Sequence, residues 1–236
     1  MRPAAKYEVE ERARLSGGTS EAAIYQMVRR AVNLRHRGGG VLIDVGCGAG
    51  NLWSSVNDLF GRYIGVDAVK YEFFPDHAEF HKADLNNGRI DLADNSADVV
   101  TAVETIEHLE NPRAFMRELV RLARPGGWVI VTTPNQLSLL SLACLVVKHR
   151  FAQFQEVHYP AHLTALLAVD LQRIANECGL EDVKIEYSQN ARIIWTSRRY
   201  PGALSRIFPR ALSDNVLMAA SKPFSSSAQA SREAKT

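Results

Sequence analysis

The chain is poor in cysteine: Cys47, Cys144 and Cys178 are scattered through 236 residues and no C-x-x-C pair occurs. An odd, widely spaced set argues against a disulfide scaffold and fits a reducing compartment, so a cytoplasmic location is expected. A secretory leader is not expected either, because the first eighteen residues are charged and lack an apolar stretch. Long hydrophobic runs are missing as well. The longest, Leu137 to Val147, holds two serines and falls short of the roughly 20 residues that a membrane span needs. A large excess of one charge is missing too: 28 Lys and Arg against 26 Asp and Glu leave a formal net charge of +2, which gives no global reason to expect nucleic acid. No internal repeat is visible. The remainder is ordinary for a globular chain, 46% hydrophobic and 23% charged, of a length that suits one α/β domain with an accessory cap.

Against that plain background, residues 41–50 read Val-Leu-Ile-Asp-Val-Gly-Cys-Gly-Ala-Gly. An apolar, β-branched run ends at Asp44, and Gly46, Gly48 and Gly50 follow at alternate positions. This is the pattern of a buried parallel strand turning sharply into a helix, with backbone left bare for a ligand. Such turns usually serve nucleotides, because main-chain N–H groups favour negative groups. The spacing here is G-x-G-x-G, however, not the G-x-G-x-x-G of dinucleotide folds. A carboxylate just before the first glycine suits a ligand with a cationic end, such as the ammonium and sulfonium of S-adenosylmethionine.

The rest of the chain alternates. Strands are expected at 41–45, 62–66, 78–82, 97–103 and 127–133, then at 182–188 and 215–221. Ser20 is placed to cap a helix through about Arg35, Asn111-Pro112 to start another, and Gly179 to end one over 168–178. Residues 1–18 read as a flexible polar arm, 19–224 as the domain, and the small polar segment 225–236 as a disordered tail. Within the domain, about 135–166 reads as a helical lid and about 190–214 as a basic insertion. Alternation of this kind implies a doubly wound parallel sheet with ligands at the carboxyl ends of its strands. Asp67 ends the second strand, where it can accept hydrogen bonds from both hydroxyls of a ribose. Asp84 follows the third, placed to accept from an adenine amino group, with Leu85 beside it to pack on the ring.

With these motifs, and with Glu104-Thr-Ile-Glu-His-Leu-Glu-Asn-Pro and Arg124-Pro-Gly-Gly, the sequence resembles the class I S-adenosylmethionine-dependent methyltransferases over about residues 38–221. The resemblance implies a Rossmann-like seven-stranded sheet of order 3-2-1-4-5-7-6, mostly parallel, with helices on both faces. It also implies S-adenosyl-L-methionine as cofactor, held by Asp44, Gly46, Cys47, Gly48, Gly50, Asp67, Ala68, Asp84, Leu85 and Glu104. A hydride-transfer alternative lacks a Tyr-x-x-x-Lys pair.

Methyl transfer needs alignment and, for a hydroxyl acceptor, somewhere for a proton to go. If residues 104–108 are helical, Glu104, Glu107 and His108 share a face. This segment is similar to the Glu-x-x-Glu-His element of ubiquinone-biosynthesis O-methyltransferases and small-RNA 3′-end methyltransferases, in which a distal histidine completes a metal site. The catalytic candidates are therefore His108, Glu107 and His158, and the metal candidates for a divalent cation are Glu104, Glu107, His108 and His162. The plainer alternative is that Glu107 and His108 only brace the loop before Asn111. His81 and His149 have no comparable setting. The acceptor expected is a small molecule or a lipid-linked metabolite or glycan, most simply O-methylated. N- or C-methylation, or a non-catalytic cofactor-binding subunit, stays open. Helix 137–147 is either core or a face toward a membrane surface, and Arg192, Arg198, Arg199, Arg206 and Arg210 either receive an acidic acceptor group or are simply solvated.

Overall fold

The computed structural model describes residues 4–224, with side chains from residue 9 onward; the expected tail lies outside the described residues. Seven strands form one sheet in the order β3-β2-β1-β4-β5-β7-β6. They are β1 (Val41–Val45), β2 (Arg62–Asp67), β3 (Glu79–Lys82), β4 (Ala97–Ala102), β5 (Ala123–Pro134), β6 (Glu181–Tyr187) and β7 (Asn215–Ser221). β1 pairs in parallel with both β2 and β4, and β7 runs antiparallel to both its neighbours. The expected fold class and strand order are the ones observed.

The alternating side chains of the strands feed two cores, one on each face. Ile43, Ile64 and Val100 point to one face and meet Phe115, Met116 and Leu119 of α4 (Pro112–Leu122) and Leu171 and Ile174 of α6 (Ala168–Glu177). Their neighbours Leu42 and Val99 point to the other, under Met27, Val28, Ala31 and Val32 of α2 (Ala22–Arg35) and Leu52 of α3 (Asn51–Val56). A sheet covered on both faces leaves only its strand tips open, and the topology reverses between β1 and β4. Ligands of such sheets lie at that point.

Several local expectations change. The helix expected from Ser20 begins at Ala22 with Glu21 as its cap residue, and the Ser20 N–H donates instead to the Tyr25 hydroxyl at 2.8 Å. Within residues 1–18, expected to be a flexible polar arm, residues 4–15 form helix α1 (Ala4–Leu15). Ala, Glu, Arg and Leu dominate that segment and are strong helix formers, which outweighs its polarity. α1 is tied down by Lys82 Nζ to Glu10 at 2.6 Å and by the Tyr71 hydroxyl to the Ala13 carbonyl at 2.6 Å. β5 begins at Ala123 rather than 127, directly where α4 ends. Asn111 caps α4 as expected: its Oδ1 accepts from the Ala114 N–H at 3.0 Å, with Pro112 in the first turn.

Because that cap satisfies an otherwise orphaned helix amide, Asn111→Ala is expected to cost about 1 kcal/mol. Urea unfolding should show the lower midpoint with an unchanged slope; an unchanged midpoint would contradict the capping role.

Candidate active site

A cleft of about 270 Å³ opens at the strand tips between β1, β2 and β4. Its floor is the bend after β1. Gly46, Gly48 and Gly50 all have positive φ, at 78°, 52° and 77°. Glycine is required at Gly48 for a second reason: a Cβ there would lie 2.2 Å from the Gly18 carbonyl oxygen. The amides of this bend are spent internally. Those of Gly46 and Cys47 donate to the Val66 carbonyl, Gly48 to Asp67 Oδ2, Ala49 to the Gly18 carbonyl and Gly50 to the Cys47 carbonyl. None of the five is left for an anion, so the bend is no phosphate cradle; it offers a ligand bare backbone and carboxylates.

Asp44 is the first of those carboxylates and is 2% exposed. The Tyr63 hydroxyl donates to its Oδ2 at 2.9 Å and the Thr101 hydroxyl to its Oδ1 at 2.8 Å. Burial pushes its pKa up to about 6 against the pull of these two hydroxyls, and nearby Asp67 adds to the rise. Asp67 accepts from the Gly48 and Val69 amides at 2.9 and 3.3 Å, and burial raises its pKa too. The Cys47 thiol, raised well above its usual value by burial and by Asp44, stays protonated and is no nucleophile.

The cofactor candidates Asp44, Gly46, Cys47, Gly48, Asp67, Ala68, Asp84, Leu85 and Glu104 all line this cleft; Gly50 stands behind it, at the start of α3. Asp84 already accepts from Asn86 and Asn87. Residues that the sequence did not single out line it as well: Arg12 and Ala13 from α1, Ser16 just after it, Tyr25 from α2, Gln153 from the lid, and Asn215 from β7. Of the arginines in the basic insertion, Arg192 is at the cleft, its Nε held by Asp214 at 3.0 Å.

The segment 104–108 does not form one helix. Glu104 has a left-handed backbone, φ 49°, and only Ile106–His108 make a 3-10 turn. Strain of that kind in a non-glycine residue is characteristic of functional sites. Glu104 is consequently turned away from the face it was expected to share. Thr132 Oγ1 donates to its Oε1 at 2.8 Å and Asn215 Nδ2 to its Oε2 at 2.7 Å. Burial, with Glu107 nearby, holds its carboxyl well above the usual range. Glu107, His108 and His162 instead converge, each offering a ligand atom within 4.8 Å of the others. Glu104 and His158 are not part of this cluster. The His158 ring stacks on His162 at 5.4 Å and its Nδ1 accepts from the Gln155 amide.

Glu107 is completely buried, and Thr133 donates to its Oε2 at 3.1 Å. Among the described residues its Oε1 has no partner, and neither has the buried Nδ1 of His162. Burial raises Glu107 to about 8 and lowers His162 to about 4, the latter with help from His108 and His158. His108 is lowered by burial, opposed by the Ala161 and Glu104 carbonyls. Its Nδ1 lies 2.8 Å from the Ala161 carbonyl, which can only accept, so in the neutral ring Nε2 carries the lone pair. The same turn anchors the lid, since the Glu107 carbonyl accepts from the Leu163 and Thr164 amides.

The close approach of Gly18 to the bend makes Gly48→Ala a test of how α1 is seated. Amide hydrogen exchange over residues 13–20 is expected to speed up by an order of magnitude or more, roughly 1.4 kcal/mol of lost protection; unchanged exchange would contradict the contact.

Residues 20–185 match a family model described as a methyltransferase domain. A relative named as a probable S-adenosylmethionine-dependent methyltransferase, from Mycolicibacterium smegmatis, is 34% identical over 109 residues. That match covers 44% of this chain and 42% of the relative, less than half the length of either. The mitochondrial ubiquinone biosynthesis O-methyltransferase of Schizosaccharomyces pombe is 26% identical across 78% of this chain and 69% of its own. Among solved structures, a SAM-dependent methyltransferase from Archaeoglobus fulgidus superposes with a TM-score of 0.61 at 19% identity, over 84% of this chain and 94% of its own. The strand order, the bare bend flanked by two buried carboxylates and the match over residues 20–185 agree: this chain belongs to the methyltransferase-domain family and is a class I S-adenosylmethionine-dependent methyltransferase.

Proposed function

We propose that the protein transfers the methyl group of S-adenosylmethionine to a hydroxyl of a small-molecule or lipid-linked acceptor, with Glu107, His108 and His162 at the reacting end. The observation that carries this reading is the pair of buried atoms without a partner among the described residues, Glu107 Oε1 and His162 Nδ1, beside a histidine whose Nδ1 is fixed on the Ala161 carbonyl. Leaving a buried polar group unpaired costs about 1–3 kcal/mol, so two together on a cleft wall suggest atoms reserved for a ligand. The similarity to ubiquinone biosynthesis O-methyltransferases supports oxygen as the acceptor atom.

In this reading the methionine end of the cofactor lies over the bend, with its ammonium toward Asp44, the ribose at Asp67 and the adenine at Asp84 and Leu85. When bound, the cofactor would supply an electrophilic methyl carbon to the acceptor oxygen, the carbon–sulfur bond breaking to release a neutral thioether. The protein's part is alignment and exclusion of water, served by α1 and the lid closing on the cleft. The hydroxyl proton is taken up at the cluster, where His108 Nε2 is the acceptor, and Glu107 and His162 orient the hydroxyl. One carboxylate and two imidazoles also fit a divalent cation, which when bound would make a coordinated hydroxyl more acidic.

His108→Asn, which can keep a donor toward the Ala161 carbonyl while removing the Nε2 base, is expected to lower turnover by about 10²–10⁴ with cofactor affinity unchanged. Turnover within a few-fold of the parent would reduce the cluster to a brace for the lid. Metal analysis separates the two chemistries. Glu107→Gln keeps the shape and the Thr133 contact while removing the carboxylate. Ion retained by the parent and lost in Glu107→Gln, with activity abolished by chelation and restored by a divalent ion, supports the cation; activity indifferent to chelation leaves His108 as the base.

A further inference from the structure

The lid begins with α5 (Leu139–Lys148), capped by Ser138, whose Oγ accepts from the Ser141 amide. Apart from Ser141 and the terminal Lys148 its sequence is apolar, yet only Ser141 and Cys144 are buried. The stripe Leu139, Leu142 and Val146, at helical spacing on the opposite side, faces outward, and Val146 is 77% exposed. A helix apolar on both sides whose outer stripe stays uncovered is incomplete by itself. The sequence alone could not show that the run is on the surface.

A second uncovered edge stands next to it. α7 (Gly202–Ile207) and the residue after it leave Ile207 68% and Phe208 56% exposed. The two elements are joined at their bases. The Leu139 amide donates to the Ala211 carbonyl at 2.9 Å, and Asn135 Nδ2 donates to the Arg210 carbonyl at 2.7 Å. Cations flank both edges: Lys148 ends α5, Arg206 lies between Leu204 and Ile207, and Arg210 follows. All three are exposed, and among the described residues none has an acidic partner, whereas Arg150, Arg192 and Arg199 are paired with Glu156, Asp214 and Glu21. Large apolar side chains exposed in a group mark an interaction surface, and uncompensated cations around them select a negatively charged partner.

We infer that the face formed by α5 and the α7 edge docks on the surface of an anionic lipid bilayer, with Val146, Ile207 and Phe208 entering the interface and Lys148, Arg206 and Arg210 meeting the headgroups. Apolar side chains that enter the acyl boundary beside basic residues that stay at the headgroups are the pattern of an interfacial contact. No helix among the described residues is long and apolar enough to cross a membrane, so the contact is peripheral. It also has a consequence for the cleft. The lid that carries α5 supplies Gln153, Ala161 and His162 to the cleft wall, so docking there brings the acceptor entrance close to the lipid surface.

The test is co-sedimentation of the full chain with vesicles of phosphatidylcholine alone and with about one-third phosphatidylglycerol. The protein is expected to pellet with the anionic vesicles at least ten times more strongly than with the neutral ones, and to be released as salt is raised. V146E together with I207E should abolish pelleting. K148E with R206E and R210E should remove only the preference for anionic lipid. None of these five side chains lines the cleft, so melting temperature and cofactor affinity should match the parent; if the glutamate pair fails to fold, V146S with I207S replaces it. Failure to pellet with anionic vesicles, or pelleting that survives both sets of substitutions, overturns the inference. So does concentration-dependent dimerisation abolished by V146E/I207E without vesicle binding, because the face then belongs to a second copy of the chain. Lipid binding is read without any methyl transfer, so its outcome stands apart from the proposed chemistry at Glu107.

Discussion

Asp44 is forced into a compromise by its position. It lies one residue before the end of β1, an inner strand of a sheet covered on both faces, so its carboxylate is desolvated, and among the described residues the hydroxyls of Tyr63 and Thr101 are its hydrogen-bond donors. Two neutral donors do not restore what water would give a carboxylate, and burial holds the group near pH 6. In the ligand-free protein Asp44 therefore keeps a proton that the unfolded chain has already released, and its contribution to stability falls as pH rises from about 4 through about 6. A cationic ligand group set against it relieves that cost. The bend beyond it follows the same logic: with its amides satisfied by Val66, Asp67, Cys47 and Gly18, it gives space and negative charge, not donors.

Around that fixed floor the site is closed by two less regular pieces. α1 reaches the cleft with Arg12 and Ala13, followed by Ser16, and the lid reaches it with Gln153 and His162. Both are anchored at the rims, α1 through Tyr71 and Lys82 and the lid through the turn at Glu107 and His108. One short turn thus serves two ends. Its backbone and the Nδ1 of His108 hold the lid, while Glu107 Oε1 is left without a partner among the described residues in the wall of the cleft. This explains why the bracing and chemical readings of the same residues were both reasonable: they use different atoms.

Much of the architecture was legible because it rests on short-range rules. Buried parallel strands announce themselves as apolar runs, the Asn-Pro pair announces the start of α4, and the glycine alternation announces the bend. What escaped notice depends on contacts distant in sequence. The polarity of residues 4–15 hid a helix, because its stability comes from strong helix formers and from anchors at Tyr71 and Lys82. A helical spacing misplaced Glu104, because Thr132 and Asn215 on other strands capture its carboxylate and its backbone turns left-handed. His162 joined the cluster and His158 did not, although both lie in one aromatic loop, because that choice is made by how the lid seats against His108 and Glu107. A signal for Thr132 and Thr133 did exist: two hydroxyls end an otherwise apolar buried strand, at the edge where ligands bind.

The account stands on Asp44 facing a positive group of the cofactor, and titration calorimetry with S-adenosylhomocysteine across pH 5 to 7.5 tests this directly. An ammonium against Asp44 favours the ionised carboxylate, so the complex holds fewer protons than the free protein. Affinity should then rise by up to about tenfold per pH unit below about pH 6 and level off above about 7, and Asp44→Asn should bind more weakly without that slope. Equal affinity at pH 5 and 7 in the parent, or an Asp44→Asn variant that binds as tightly, would contradict it.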